Sequence, residues 1–347
     1  HAQDLARAAK DFLRWSFVWL VFAPVTRAVC SSERRARLCA RIVPVFVATF
    51  ATLTVADLAF GLRIVQTLTG EEAIAADGRH QSLYDNAGIF AGMLIVAFPL
   101  AVTPALTEPR LRAKLPWVVA STIIACGALL SGSRAALVAS LISAIALGVL
   151  LRRRWLVAGT VGLAIAMTAV VWMGESSGPP SVARFGDLLE QRGSGRHSVA
   201  RRMEIWSVAG DLIERSPVIG WGGAQLRYHQ RLGFNRAHNA WLDAWLDGGL
   251  PALAAMALVT AIVLRRAWWT AMLRPERWMQ PTHLALLVSS IAVLVGWTVR
   301  AGIGGRIDWV PLFMLCSACW DEPGADAGRA EGPPEARMSC MSAEAGP

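Results

Sequence analysis

The sequence predicts an all-α fold, a polytopic membrane helical bundle of about nine transmembrane helices with one large helical loop between its sixth and seventh spans. Three observations predict it. Hydrophobic residues are 54% of the 347 residues, charged residues are only 17%, and mean hydropathy is +0.43, which is too apolar for a soluble domain of that length. The apolar residues fall in runs that approach the roughly 17 to 25 residues a helix needs to cross a bilayer. Basic residues gather in every second connection between runs, as the positive-inside rule demands.

The runs lie near Phe12–Val25, Ile42–Leu62, Ala87–Leu106, Leu115–Leu130, Ala135–Leu151, Trp155–Met173, Leu250–Leu264, His283–Val299 and Ile307–Trp320. Two or three of them are short for a bilayer. Arg34, Arg35, Arg37 and Arg41 follow the first run, and Arg110, Arg112 and Lys114 the third. Arg152, Arg153 and Arg154 follow the fifth, and Arg265, Arg266, Arg274 and Arg277 the seventh. With these inside, the connections Gln66–Asn86, Ser131–Arg134, Gly174–Gly249 and Arg300–Arg306 face outward, as does the N-terminus. Residues 1–320 thus form one membrane domain, with residues 174–249 as its outer loop. Residues 321–347, rich in Gly, Pro, Ala and Glu without apolar periodicity, are expected to form a disordered cytoplasmic tail. The chain opens on His1 and its first run has no signal-peptide cleavage pattern, so a fragment of a longer protein is expected.

The formal charge of +9 does not point to nucleic acid, because the cations sit between apolar runs as orientation signals rather than on a basic face with stacking aromatics. Cys30 and Cys39 share an Arg-rich loop, Cys126, Cys316 and Cys319 lie in apolar runs, and Cys340 is in the tail, so no disulfide framework is expected. The Cys316–Cys319 spacing lacks histidine partners and reads as packing. The outer loops contain no Asp-x-Asp, and neither a metal nor a cofactor is expected.

Polar chemistry concentrates outside. Arg134 ends the very short connection Ser131-Gly-Ser-Arg134, on the side where the charge rule disfavours it. Either it faces a polar cavity and a partner, or it snorkels to lipid phosphate. Asp57 is a candidate partner, as a structural ion pair or a proton-handling group. The loop 174–249 carries nine Arg and eight acids, so it is near neutral and the placement of each Arg matters more than their number.

Within Arg201–Arg215, Ile205, Val208, Ala209, Leu212 and Ile213 recur at helical spacing. That pattern predicts an amphipathic helix with Arg201, Arg202 and Glu204 in its first turn. A basic first turn opposes the helix dipole, so Arg202 either serves an anionic ligand or is a solvated helix end. Pro217 stops the helix, and Gly220, Gly222 and Gly223 permit a tight turn with backbone close to whatever binds. Asn239 reads as the N-cap of a helix from Ala240 to Gly248, ended by Gly248-Gly249. His238, just before it, is either an acid/base group, suited by an ordinary imidazole pKa of about 6.5, or a surface histidine.

The order Ser131-Gly-Ser-Arg-Ala-Ala-Leu137, Arg201-Arg-Met-Glu-Ile-Trp206, Ser216-Pro-Val-Ile-Gly-Trp-Gly222 and Ala237-His-Asn-Ala-Trp-Leu-Asp-Ala-Trp-Leu-Asp-Gly-Gly-Leu-Pro-Ala-Leu253 resembles the bacterial O-antigen ligase superfamily, which includes O-antigen polymerases and protein O-oligosaccharyltransferases. The likeness runs from about Asn86 to Leu264. It implies a GT-C-like, metal-independent, inverting glycosyltransferase of the inner membrane with a periplasmic active site. The donor is a lipid-linked oligosaccharide on undecaprenyl diphosphate, and the ligase acceptor is a lipid A-core hydroxyl. Carried over by motif, Arg134 and Arg202 match the two essential arginines, which would bind the diphosphate, and His238 the essential histidine, which would serve as general base. Ser133, Arg201, Arg236 and Asn239 are counted as further substrate contacts.

The chain departs from the family at several points. Members usually have about twelve spans with both ends inside, so loss of three N-terminal spans would restore parity, and Asp247 stands where Glu is frequent before Gly. Three alternatives stay open: a polymerase or other oligosaccharyltransferase of the superfamily, a small-anion transporter using the outer arginines, and an inactive scaffold.

Overall fold

In a computed structural model, residues 20–21, 23–30, 33–60, 64–69, 87–131, 133–172, 193–222, 226, 237–273, 280–299 and 311–312 are described. Among them every regular element is helical. In chain order these are α1 (Ala23–Val29), α2 (Glu33–Phe60), α3 (Ile64–Thr69), α4 (Ala87–Thr107), α5 (Leu111–Leu130), α6 (Arg134–Leu150), α7 (Arg154–Trp172), α8 (Gly193–Arg215), α9 (Ala240–Leu273) and α10 (Pro281–Val299). Four stretches, Arg34–Asp57, Gly88–Thr107, Leu111–Leu130 and Ala240–Arg265, are long and apolar enough to cross a membrane, and α6, α7 and α10 contain shorter apolar helices. The expected first and last spans, the Gln66–Asn86 connection and the tail lie almost wholly outside the described residues.

Helix α4 is the hub, packed by α2, α5, α6 and α10. From Phe90 to Ala97 every one of its residues is buried, the signature of a helix hydrophobic all round. Small side chains set the spacing: Ala51, Ala91, Ala97, Ala101, Ala120, Ala128, Ala136 and Ala139 share one core with Phe90, Leu94 and Ile124. A methyl on Gly127 would stand 3.1 Å from both the Ala51 Cβ and a Leu94 methyl, so α2, α4 and α5 meet as closely as backbones allow. Hydroxyls within the bundle find acceptors there. Thr52 and Thr54 on α2 and Thr103 on α4 donate to carbonyls four residues back, and Ser289 of α10 donates across to the Val96 carbonyl at 2.9 Å. That carbonyl lies three residues before Pro99, where proline loosens the helical ladder and a neighbouring hydroxyl compensates.

Packing also orders the helix ends. Arg41 of α2 reaches Glu108, between α4 and α5, at 4.0 Å and lies over the Trp117 ring of α5. Val102 of α4, Leu147 of α6 and Leu284 and Val288 of α10 form a common cluster. The N-terminus of α2, the α4–α5 and α6–α7 connections and the start of α10 therefore share one end, and it carries the basic clusters Arg34–Arg41, Arg110–Lys114 and Arg152–Arg154. The short α5–α6 connection lies at the other end. Helix α9 runs antiparallel to α10 into a short connection, so its N-terminus is at that other end too.

One expectation needs correction here. The amphipathic helix begins at Gly193, not near Arg201, so Arg201 and Arg202 sit in its third turn rather than its first, and the dipole argument for Arg202 falls away. The helix after His238 does end at Gly248-Gly249, as its sequence suggests. Gly249, at φ +64° and ψ −159°, kinks a chain that continues as helix to Leu273.

Candidate active site

The end of the bundle away from the basic clusters carries a small structure with its own core. Ile205, Ala209, Leu212 and Ile213 of α8 are buried against Leu246, Leu226 and Ala237, with Trp206, Leu242 and Trp245 packed alongside. The amphipathic face of α8 thus packs on the first turns of α9 rather than lying on lipid.

Between these helices lies the corner Ala237-His238-Asn239. The Asn239 carboxamide oxygen accepts from the Trp241 N–H at 3.0 Å and the Leu242 N–H at 3.3 Å, capping α9 as its sequence suggests. Ala237, wholly buried, is clamped on both sides. Its N–H donates to Asp243 Oδ1 at 2.7 Å, and its carbonyl accepts from the Trp206 indole N–H at 2.8 Å. His238, half-buried beside it, has φ +54°. Among the described non-glycine residues only Arg152 shares that sign. Arg152 is explained by its place just past the C-cap of α6; His238 precedes an N-cap and has no such reason. A left-handed histidine held by a clamp on its neighbour is the kind of stored strain that marks functional corners.

Arg202 stands four residues before Trp206, hence on the same face of α8 and one turn, about 6 Å, further along. It is half-buried. Since Trp206 donates to the Ala237 carbonyl, Arg202 stands one helical turn from the contact that joins α8 to the histidine corner.

Arg134 is the first residue of α6, whose N-cap Ser133 accepts from the Ala136 N–H at 3.3 Å through its hydroxyl, while the Ser131 hydroxyl accepts from the Ser133 N–H. The hydroxyl of Ser133 and the carboxamide oxygen of Asn239, both expected at substrate, thus serve helix caps. The start of α6 and the α8–α9 corner occupy the same end of the bundle, but the Arg134 and Arg201 side chains, and Arg236 altogether, lie outside the described residues. Asp57 accepts from the Ile64 N–H at 2.7 Å at the start of α3.

The glycine turn has a different reason from the one expected. Trp221 and Gly222 donate their N–H groups to the Leu246 and Asp247 carbonyls, and Leu250 donates to the Pro217 carbonyl. The kink at Gly249 leaves those carbonyls without helical donors, and the turn supplies them. A Cβ on Gly220 would lie 2.5 Å from the Gly249 nitrogen, and one on Gly249 2.1 Å from the Val218 carbonyl oxygen. What comes close to Gly220 is the backbone of α9.

Asp243 and the indole of Trp206 were missed by sequence reasoning as determinants of this corner. The available signal was an acid with no local basic partner in the first turn of an otherwise apolar helix, where only the fold reveals that its acceptor duty is for a residue before the cap.

Residues 119–257 match the protein family described as O-antigen ligase. This segment is similar to the O-antigen ligase family. The match runs from the middle of α5 to beyond the Gly249 kink, and so includes Arg134, Arg202, the histidine corner, Asp243 and the glycine turn of the O-antigen ligase-like segment. The match supports a membrane glycosyltransferase of ligase or polymerase type, acting on a lipid-linked glycan and an acceptor. No curated protein matches the chain.

Proposed function

We propose that this O-antigen ligase-like domain transfers a glycan from undecaprenyl diphosphate to an acceptor hydroxyl, on lipid A-core in the ligase case, at the periplasmic face of the inner membrane. His238 is the general base. It takes the proton of the acceptor hydroxyl as that oxygen attacks the anomeric carbon from the side opposite the carrier, forming the new glycosidic bond with inversion. The bond from the anomeric carbon to the phosphate oxygen breaks, and its electron pair leaves with the lipid diphosphate. Arg202 and Arg134 neutralise the charge that develops there, since a guanidinium fork matches two phosphate oxygens and is always protonated. Two fixed cations can supply this electrostatic stabilisation without a divalent ion.

The observation that carries the reading is the His238 corner, strained and clamped inside the segment that matches the family, with Arg202 one helical turn from the Trp206 that clamps it. The periplasmic assignment is supported by the basic clusters gathering at the opposite end of the bundle.

The test is transfer by the purified full chain in proteoliposomes with a carrier-linked glycan. His238→Ala is expected to abolish transfer while leaving donor binding near wild type, and Arg202→Ala or Arg134→Ala to weaken binding and turnover together. Full activity in His238→Ala, or a requirement for added divalent metal, would refute the mechanism. Ligase and polymerase separate in cells lacking the protein. Long carrier-linked chains accumulate if a ligase is lost, and single repeats capping lipid A appear if a polymerase is lost.

A further inference from the structure

The turn Ser216–Gly222 exposes an apolar surface that neither the packing of the bundle nor the proposed transfer uses. Ile219 is 81% exposed, Val218 60%, Leu250 53% and Trp221 42%. The four lie together because the Leu250 N–H donates to the Pro217 carbonyl at 3.0 Å, and Trp221 is bonded to Leu246. Leu250 is also the first residue of α9 past its kink and the top of an outward stripe that continues through Leu258 and Ile262, opposite the buried Met256 and Val263. The patch is therefore continuous with the face α9 turns to lipid.

The backbone on either side of the Val218-Ile219 tip is bonded within the protein. The N–H groups of Gly220, Trp221 and Gly222 and the carbonyls of Pro217 and Gly220 are all bonded within the protein. Both nearby indoles donate inward, Trp221 to the Leu212 carbonyl at 2.6 Å and Trp245 to the Pro217 carbonyl at 3.1 Å. The headgroup level, where water and phosphate remain, can solvate the backbone of the tip while the apolar side chains reach below it. Trp221 is also a residue type enriched at that level.

We propose that the Val218–Trp221 turn, with Leu250, is a membrane-interface anchor. It seats the α8–α9 cap on the outer leaflet of the bilayer that α9 crosses, with the apolar tips reaching roughly 5 to 10 Å into the headgroup and acyl boundary. The partner is the phospholipid surface itself, and the inference stands whichever reaction the cap performs.

The test uses the unmodified full chain in phosphatidylethanolamine and phosphatidylglycerol vesicles doped with a phospholipid that carries a diazirine high on one acyl chain. Tryptic cleavage isolates the turn as Ser216–Arg227, the outer part of α8 as Met203–Arg215 and the spanning part of α9 within Ala237–Arg265. Lipid adducts are expected on Ser216–Arg227 at a yield comparable to the α9 peptide and about ten-fold above the α8 peptide. Adducts on the α9 peptide with none above the α8 level on Ser216–Arg227 would overturn the proposal. A benzoylphenylalanine introduced at Ile219 identifies the occupant directly. Phospholipid adducts support the anchor, whereas crosslinks to a second copy or to another segment of this chain refute it.

Discussion

Asp243→Ala tests whether the histidine corner is held or merely observed. The Ala237 N–H is fully buried, so without the Asp243 oxygen it has no water to turn to, and the loss is about 1 to 3 kcal/mol for a buried donor left unsatisfied. Against this stands the strain of His238 at φ +54°, about 1 to 2 kcal/mol for a residue with a Cβ. With Asp243 present the clamp outweighs the strain. Without it, only the Trp206 indole bond to the Ala237 carbonyl remains, at about 0.5 to 1.5 kcal/mol, and the two effects nearly balance. Strain that exceeds the remaining bond by about 0.5 to 1 kcal/mol leaves the competent geometry roughly three- to six-fold less populated, which is the expected fall in kcat. Donor KM should change little, because Arg202 sits on α8, whose packing on α9 does not depend on that carboxylate. Asp243→Asn retains an oxygen in place and should recover most of the rate. The assay is glycan transfer in proteoliposomes, read alongside hydrogen exchange at the Ala237 amide. A variant in which that amide exchanges rapidly while turnover stays within about two-fold of wild type would refute the claim that the corner's geometry serves catalysis.

Trp206→Phe should lower kcat in the same direction, and the double variant with Asp243→Ala should lose less than the product of the two single losses, since both act on Ala237; fully multiplicative losses would show the clamp is not one unit. Gly249→Ala places a methyl 2.1 Å from the Val218 carbonyl oxygen at a φ only glycine adopts freely. The interlock with the glycine turn should open at a cost of about 3 kcal/mol or more, seen as lost exchange protection at Trp221, Gly222 and Leu250 while α4 stays protected; unchanged protection would contradict it. At the opposite end, burial beside the Cys39 thiol pushes the Cys30 thiol up to about 12 from an ordinary value of 9.0. Because the folded protein holds this proton more tightly than the unfolded chain, Cys30 should resist alkylation at pH 8 to 9 until the protein is denatured, and the stability tied to that proton should be present below about pH 9 and lost as pH rises toward 12. Rapid modification of folded protein at pH 8 would exclude the buried thiol.

Much of the bundle was legible in the sequence because length and hydropathy act residue by residue. The apolar runs at Ala87–Leu106, Leu115–Leu130, Ala135–Leu151 and Trp155–Met173 match α4 to α7 closely. What resisted reading depends on contacts between distant residues. Gly193-Ser-Gly-Arg-His-Ser has no apolar periodicity and two glycines, so the first two turns of α8 left no local signal. Gly220 announces a tight turn, but that the backbone it accommodates is the kink at Gly249 cannot be read from spacing. Asn239 is recognisable as a cap from its position alone, whereas Asp243 acts backward across that cap on Ala237, and the partner indole of Trp206 comes from another helix.

The α8–α9 cap keeps a core of its own, from Ile205 and Leu212 to Ala237 and Leu246, distinct from the clusters around α4, and among the described residues its principal join to the bundle is α9. It therefore behaves as an annex reached mainly along one helix. Its order is decided by a handful of side chains, while the bundle is secured by the lipid around it and by the alanine seams within. The two parts are free to differ in stability, and the cap can be reshaped for a new acceptor without disturbing the helices that hold it at the membrane.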